Sequence, residues 1–317
     1  MPGQGRRPTK PIYVELSIRT DPDTLWELTQ RPWHHQRWDA RFSRIDYLNS
    51  PGEHPPESGA TEATEATERE GSQPVRFRYL LGPARGPALT GSGVTTAERR
   101  RADGQRVSAL RFASDSGWSP LQEGAGYWRY LPGCSEDPAA DGTSADEAPH
   151  VTFVTGYDYR SWRWRGGAQL DHWLVRPFVG WLTAWSFDRL RLWAERGIPP
   201  ERALRHGLAE VAVRAGAAAL AGVVDAAVTG QAAAGVLTAG VVLLFSALVP
   251  PSPVTPAARR CRRRPRPGTR GRAAARAPRL LATLAPPSDR PAPSPSRKHL
   301  SPHRPSGNLG TITLEQS

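Results

Sequence analysis

The sequence predicts an α+β fold: a curled antiparallel sheet, interrupted near its start by two short helices and closed by one long helix. Three observations predict it. Period-two strand patterns recur from residue 11 to residue 160. Two proline-opened helical stretches follow the first strand. From about Gly167 the apolar period changes to three and four and holds up to Gly197. A sheet that curls needs a cover for its concave face, and a long helix with a wide apolar side supplies one. On this reading residues 1–10 are an N-terminal tail and residues 11–200 the folded domain. Residues 208–250 are an apolar helical hairpin, and residues 251–317 a disordered Arg/Pro-rich tail.

Each element has a local reason. In "PIYVELSI", Ile12, Val14, Leu16 and Ile18 share one face, and Tyr13, Glu15 and Ser17 the other. "TDPDTLWELTQ" offers Thr20 or Asp21 as a cap, Pro22 at the first helical position, and an apolar stripe of Leu25, Trp26 and Leu28. "RPWHHQRWD" opens a second short helix at Pro32, and "RFSRIDYL" returns to a strand. Residues 49–73, with their Thr-Glu-Ala repeat, have almost nothing to bury and read as an acidic disordered loop; residues 133–149 read the same way. Between them "VRFRYLL" is a strand, "GSGVTTAERRRADGQRVSALRFAS" two strands joined by a turn at Ala102-Asp103-Gly104, and "GWSPLQEGAGYWRYL" a further strand with glycines that permit a bulge or bend. "VTFVTGYDYR" is the final strand. In the long helix Leu170, Trp173, Leu174, Phe178, Trp181, Leu182, Trp185, Leu192 and Trp193 recur at helical spacing. Pro177 predicts a kink or a break, Gly197 the stop, and the tryptophans are expected to lie chiefly against the sheet.

The formal net charge is +12. Most of the excess lies in one segment, where Arg259, Arg260, Arg262, Arg263, Arg264 and Arg266 are followed by Arg270, Arg272, Arg276 and Arg279 without an acid between them. That run lacks interleaved aromatics and is rich in proline, which argues against specific nucleic-acid readout. Two cysteines, Cys134 and Cys261, point to neither a disulfide framework nor a metal site. The first residues are basic but lack a following apolar run, so no secretory signal is expected.

"PDTLWELTQRPWHHQRWDARFSRIDYL", "TFVTGYDYR" and "RPFVGWLTAWSFDRLRLWAERGIPP" together resemble the helix-grip proteins: the START-like, polyketide-cyclase-like or SRPBCC superfamily, whose fold is also that of the birch pollen allergen. The resemblance covers about residues 11–200 and is carried at its start by Trp26, Arg31, Pro32, His34, Trp38 and Asp39. The chain is most similar to uncharacterised actinobacterial members, and it departs from the family in its two long acidic loops. The resemblance implies a cavity between sheet and helix for an apolar ligand such as a lipid, sterol or polyketide. It implies no catalytic set and no cofactor.

The candidate cavity residues are Trp26, Trp38, Phe77, Tyr79, Trp118, Tyr157, Trp181 and Trp185. No zinc motif, phosphate loop or nucleophile elbow is present. His34 and His35 are neighbours that point apart on a helix, so no metal is expected from them. Tyr157 and Asp158 alternate to opposite faces, which favours a structural strand over a proton-transfer pair. In the hairpin, residues 232–249 carry no charge, and the preceding half contains Arg214 and Asp225. Two spans would keep both the domain and the Arg tail on the cytoplasmic side, with Arg259, Arg260, Arg262, Arg263 and Arg264 at the anionic membrane surface. The main expectation is thus a non-enzymatic, membrane-tethered module that binds or transfers an apolar ligand, with membrane lipids as its other partner. The alternatives are a cyclase- or aromatase-type enzyme using the same cavity, or a membrane-associated interaction protein without a ligand.

Overall fold

A computed structural model describes residues 10–48, 74–82, 88–99, 101, 104–133, 149–162, 164 and 166–287. The expected loops at 49–73 and 133–149 fall almost wholly outside the described residues, as do residues 1–9 and 288–317. Seven antiparallel strands form one sheet in the order β1-β7-β6-β5-β4-β3-β2. They are β1 (Ile12–Arg19), β2 (Phe42–Tyr47), β3 (Val75–Leu81), β4 (Leu89–Glu98), β5 (Arg106–Ser114), β6 (Glu123–Pro132) and β7 (His150–Arg160). Two short helices, α1 (Pro22–Gln30) and α2 (Pro32–Trp38), join β1 to β2. After β7 come α3 (Gly167–Leu170), a π-helical turn (Asp171–Val175) and the long α4 (Arg176–Arg196). This is an α+β helix-grip fold.

The alternation in β1 separates two environments. Ile12, Val14, Leu16 and Ile18 join the main core, whereas Tyr13 packs with Val154 on the opposite face. The main core is closed by Val179, Ala184, Phe187 and Leu190 of α4. The Phe187 ring stacks on Phe153 at 4.6 Å between centroids. Asp21 provides the cap of α1, its side chain accepting the Thr24 N–H at 2.7 Å. Near Pro177, where a kink or a break is expected, the helix is continuous but carries a π turn over Asp171–Val175. Pro177 has no N–H to donate into the preceding turn, and the wider turn absorbs that mismatch without breaking the helix.

Beyond the turn at Gly197, α5 (Pro200–Thr229) and α6 (Ala232–Leu248) form an antiparallel hairpin. A short 3₁₀ turn (Ala258–Arg260), α7 (Thr269–Ala275) and α8 (Leu280–Thr283) follow. Residues 251–287, expected to be part of a disordered tail, are instead a strap packed onto the domain. The reason is a set of long-range partners that composition does not reveal. Asp188 of α4 is fully buried. It accepts Arg191 Nε at 2.6 Å, Arg260 Nη1 at 2.7 Å and the Ala257 N–H at 2.7 Å. Buried Glu15 accepts Arg266 Nε at 2.8 Å and Tyr13 Oη at 2.6 Å. The backbones of Glu15 and Arg262 exchange two hydrogen bonds of 2.9 Å, which caps part of the open edge of β1. Farther on, Ala274 packs with Tyr13 and Val154, and Leu284 with Val94 and Ala109, on the outer face of the sheet.

Asp188→Ala removes the acceptor of the Ala257 N–H and the carboxylate that joins Arg260 to α4, leaving Arg191 with Glu195 and Arg260 with the Thr255, Pro251 and Ser252 carbonyls. Breaking such a buried ionic cluster costs about 3–5 kcal/mol. The variant should melt well below wild type, and trypsin should cut between Arg259 and Arg266 much faster; unchanged cleavage there would show that the strap is held by something else.

An apolar cavity beside the long helix

The cavity is built from pairs of aromatic residues and glycines on neighbouring strands. In the sheet register Phe77 faces Gly93, Tyr79 faces Gly91, Phe112 faces Gly124 and Tyr157 faces Gly126. A Cβ on Gly93 or Gly91 would fall within the Phe77 or Tyr79 ring, and one on Gly124 within the Phe112 ring. On Gly126 it would lie 2.6 Å from Tyr157 Cβ. Each glycine therefore lets the opposite side chain lie across its strand, and the rings pave the sheet instead of filling the space above it. The glycines expected to mark a bulge or bend serve this close approach.

Above the paving lies a narrow cleft of about 90 Å³. Phe42, Ile45, Phe77, Phe112, Leu121 and Trp128 contribute apolar walls. The roof is the segment from Gln30 to Phe42, not the long helix, because α4 packs closely over β1 at one side of the sheet.

A short polar chain stands at one wall. Asp39, fully buried, accepts Arg41 Nε at 2.9 Å and Arg41 Nη2 at 2.6 Å. Its second oxygen is also 3.2 Å from His35 Nε2. A carboxylate only accepts, so Nε2 of His35 carries the hydrogen. Burial would by itself raise the Asp39 carboxyl, but the charge and hydrogen bonds of Arg41 outweigh it and hold it far below the usual range. Burial also keeps His35 below its ordinary value, against the pull of Asp39, which favours the neutral ring. The Arg41 guanidinium lies 5.4 Å from the centre of the Tyr157 ring. Tyr157 Oη and Thr183 Oγ1 are 2.7 Å apart. Burial raises the Tyr157 phenol more than Arg41 lowers it, so it keeps its proton. Thr183 donates its own hydrogen to the Val179 carbonyl at 2.8 Å, so the Tyr157 phenol donates to Thr183, and a ligand oxygen at this wall would take the place of Thr183 as its acceptor beside the Arg41–Asp39 ion pair.

Of the residues named from the sequence, Phe77, Tyr79 and Tyr157 line this cleft. Trp26 and Trp38 are in the core instead, Trp26 against Tyr130 and Trp38 between Trp128 and Phe187. Trp118 sits on a loop, 86% exposed. Trp181 is 43% exposed on the outer side of α4, and Trp185 lies beside Gly207 of α5. Helical spacing correctly groups these rings but does not say which way the group points. Among the basic residues, Arg260 is committed to Asp188 and Arg259 donates to the Val249 carbonyl at 2.8 Å. The side chains of Arg262, Arg263 and Arg264 are exposed. The cleft also takes in His35, marked in the sequence only as the neighbour of His34, and Arg41 and Phe112, which no pattern of the candidate set marks. For Arg41 the available signal was the pair Asp39/Arg41 directly after the short helix. Asp158 and Asp171 both accept from Arg176, at 2.7 and 3.2 Å, and Tyr159 donates to Asp171 at 2.7 Å, a network that ties β7 to the long helix. Among the described residues, no group of three or more His, Cys, Asp or Glu is placed to hold a metal ion.

No family model matches the chain. It is similar to the uncharacterized membrane protein YndG of Bacillus subtilis, 36% identical over 199 residues. That match spans 63% of this chain and 62% of the relative's length. Among solved structures it is similar to the ZhuI aromatase/cyclase of Streptomyces sp. R1128, with 12% identity and a TM-score of 0.37, covering 59% of this chain and 97% of that one. It is also similar to a norcoclaurine synthase of Thalictrum flavum, with 10% identity and a TM-score of 0.29, covering 58% and 98%. These likenesses are too low to argue from, and the fold assignment rests on the strand order and helix placement above.

Gly93→Ala puts a Cβ into the Phe77 ring and 2.8 Å from the Arg111 carbonyl. Overpacking of this kind costs about 1–3 kcal/mol. Gly117→Ala, with open space around it, is the control. Denaturant titration should show a lowered midpoint for the first variant alone; equal midpoints would mean the ring–glycine pairing is not needed.

Proposed function

We propose that this protein is a membrane-tethered helix-grip module that binds an apolar molecule carrying a polar oxygen, in the cleft between the sheet and the Gln30–Phe42 segment. The observation that carries the reading is the presence in one chain of that cleft and of a hairpin built inside out. Where α5 and α6 meet, the contacts are small: a Cβ on Gly222 would lie 2.6 Å from the Gly235 carbonyl and 2.9 Å from Ala239 Cβ. The large apolar side chains of the hairpin, among them Val211, Leu220, Val223, Leu237, Leu244 and Phe245, face outward. Small residues at the contact and large ones outside is the arrangement of helices packed in lipid. A soluble hairpin would do the reverse.

The strap supports two membrane passages over one. α5 is long and apolar enough to cross a membrane, and α6, at 17 residues, is shorter. Because residues 251–287 pack onto the domain that precedes the hairpin, the chain enters and leaves at one place. Arg214 marks that place. It donates to the Ser246 carbonyl, to the Val249 carbonyl at 3.2 Å and to Glu210. These contacts cover the last carbonyls of α6 with positive charge. The positive-inside tendency puts this basic base, the domain and the strap on the cytoplasmic side.

A second reading, an enzyme of the cyclase or aromatase type, is favoured by one observation. Arg41 and the protonated Tyr157 stand together at an apolar wall, where they could stabilise a developing enolate oxygen.

Purified full-length protein should bind a fluorescent fatty acid with micromolar affinity or better, about 8 kcal/mol. Tyr157→Phe, which removes a donor and little shape, should weaken acid- or ketone-bearing ligands about tenfold while leaving a hydrocarbon dye unaffected. Equal loss for both ligand types would remove the role given to the polar wall, and turnover of a polyketone by wild type would favour the second reading. In sealed inverted vesicles, protease should reach both the domain and the strap. Protection of either one would rule out the hairpin topology.

A further inference from the structure

The helix that closes the sheet has a second side, and from Leu170 to Trp181 its large apolar side chains are exposed among the described residues. Trp173 is 77% exposed, Phe178 55% and Trp181 43%. Leu174, Phe178, Trp181 and Trp185 follow each other at helical spacing and so share a side. Phe178 and Trp181 stack at 6.2 Å, and Trp181 and Trp185 at 6.3 Å, with interplanar angles of 22° and 16°. Among the described exposed residues from Gln169 to Trp181, Gln169 and His172 are the polar ones, and none is acidic. Asp171 is turned inward onto Tyr159 and Arg176. An exposed helix side of a soluble domain is ordinarily polar.

The position of this aromatic side matters as much as its composition. α5 doubles back along α4. The Pro200 carbonyl accepts Arg189 at 3.1 Å, and a Cβ on Gly207 would lie 4.0 Å from the Trp185 ring. Moving from Trp185 towards Leu174 therefore goes the same way as moving from Gly207 into the hairpin. The stacked rings lie at the level where the hairpin leaves the domain.

We propose that this aromatic side, with Leu174, Phe178 and Trp181 along it and the exposed Trp173 at its margin, is a second membrane-contact surface, seated in the headgroup region next to the base of the hairpin. It rests on the membrane reading of the hairpin and adds the orientation of the domain. Tryptophan prefers the interface between lipid and water because its ring is apolar and its N–H needs a polar neighbour. No described exposed residue of this stretch is acidic, so none of them repels anionic headgroups. With the hairpin as the only attachment, the domain would tumble about one joint; the aromatic side supplies a second contact that holds one face on the bilayer.

The test compares full-length wild type with the double variant Trp173→Phe/Trp181→Phe. Both are reconstituted in phosphatidylcholine–phosphatidylglycerol vesicles, with and without bromine at shallow acyl positions. The difference in emission between the two proteins isolates the two tryptophans, and flotation of the same samples reports the hairpin. The expected result is flotation, loss of most of the isolated signal in brominated lipid, and protection of it from aqueous iodide. Flotation with a signal open to iodide and untouched by bromine would overturn the proposal and leave the hairpin standing. Flotation with protection from both quenchers would mean that a protein surface covers the rings, which also overturns it. Failure to float would remove the hairpin and this surface together.

Discussion

A buried carboxylate must find partners or be neutralised, and in this protein one such group organises the path of the chain. Asp188 sits fully buried on the closing helix. Arg191 on the same helix meets one oxygen, and Arg260 and the Ala257 N–H meet the other. Two of these three donors come from the far side of the hairpin. The acid therefore cannot be satisfied unless the chain returns to where it left. Glu15 repeats the logic on the outer face of the sheet with Arg266. What composition presents as a loose basic tail supplies, in Arg260 and Arg266, the complements of two buried acids placed elsewhere.

That return constrains the hairpin. Its ends are held together by the domain and by Arg214 at its base, while its two legs touch through glycine and alanine. The legs turn their large apolar side chains outward, where only an apolar surrounding would make burial favourable. The aromatic side of the long helix continues the same pattern towards the domain. The apolar surface thus changes from aliphatic along the hairpin to aromatic beside its base, as a chain passing from the interior of a bilayer to its interface would require.

The cavity depends on a different local economy. Strand glycines usually weaken a sheet because they bring no side chain to pack. Here Gly91, Gly93 and Gly124 face aromatic rings that lie over them, and the neighbouring strand supplies the missing packing. The result is a concave face paved with rings but not filled by them. The long helix packs tightly at one side of that face, and the free space shifts to the other, under the segment that carries His35, Asp39 and Arg41. The polar groups of the cleft thus come from the connection between the first two strands.

The succession of elements is legible along the chain: alternating strands, two proline-opened helices, a long helix ended by Gly197, and an apolar hairpin. These are properties of neighbours along the chain, and periodicity reports them directly. Periodicity also shows which side chains share a face, as in Ile12, Val14, Leu16 and Ile18 or in Phe178, Trp181 and Trp185. What each face meets is set by long-range packing. The first set meets the core; of the second, Trp185 still packs against the core while Phe178 and Trp181 are exposed, although both sets are equally apolar in sequence. Trp26 and Trp38 went to the core and Tyr157 to the cleft for the same reason: alternation and helical spacing define sides, and the packing of the closing helix over β1 decides which side stays open. The fate of the basic tail was hidden for a further reason. Its partners Glu15 and Asp188 are remote in sequence, and a charge pair becomes legible only when folding has buried the acids and brought the arginines beside them.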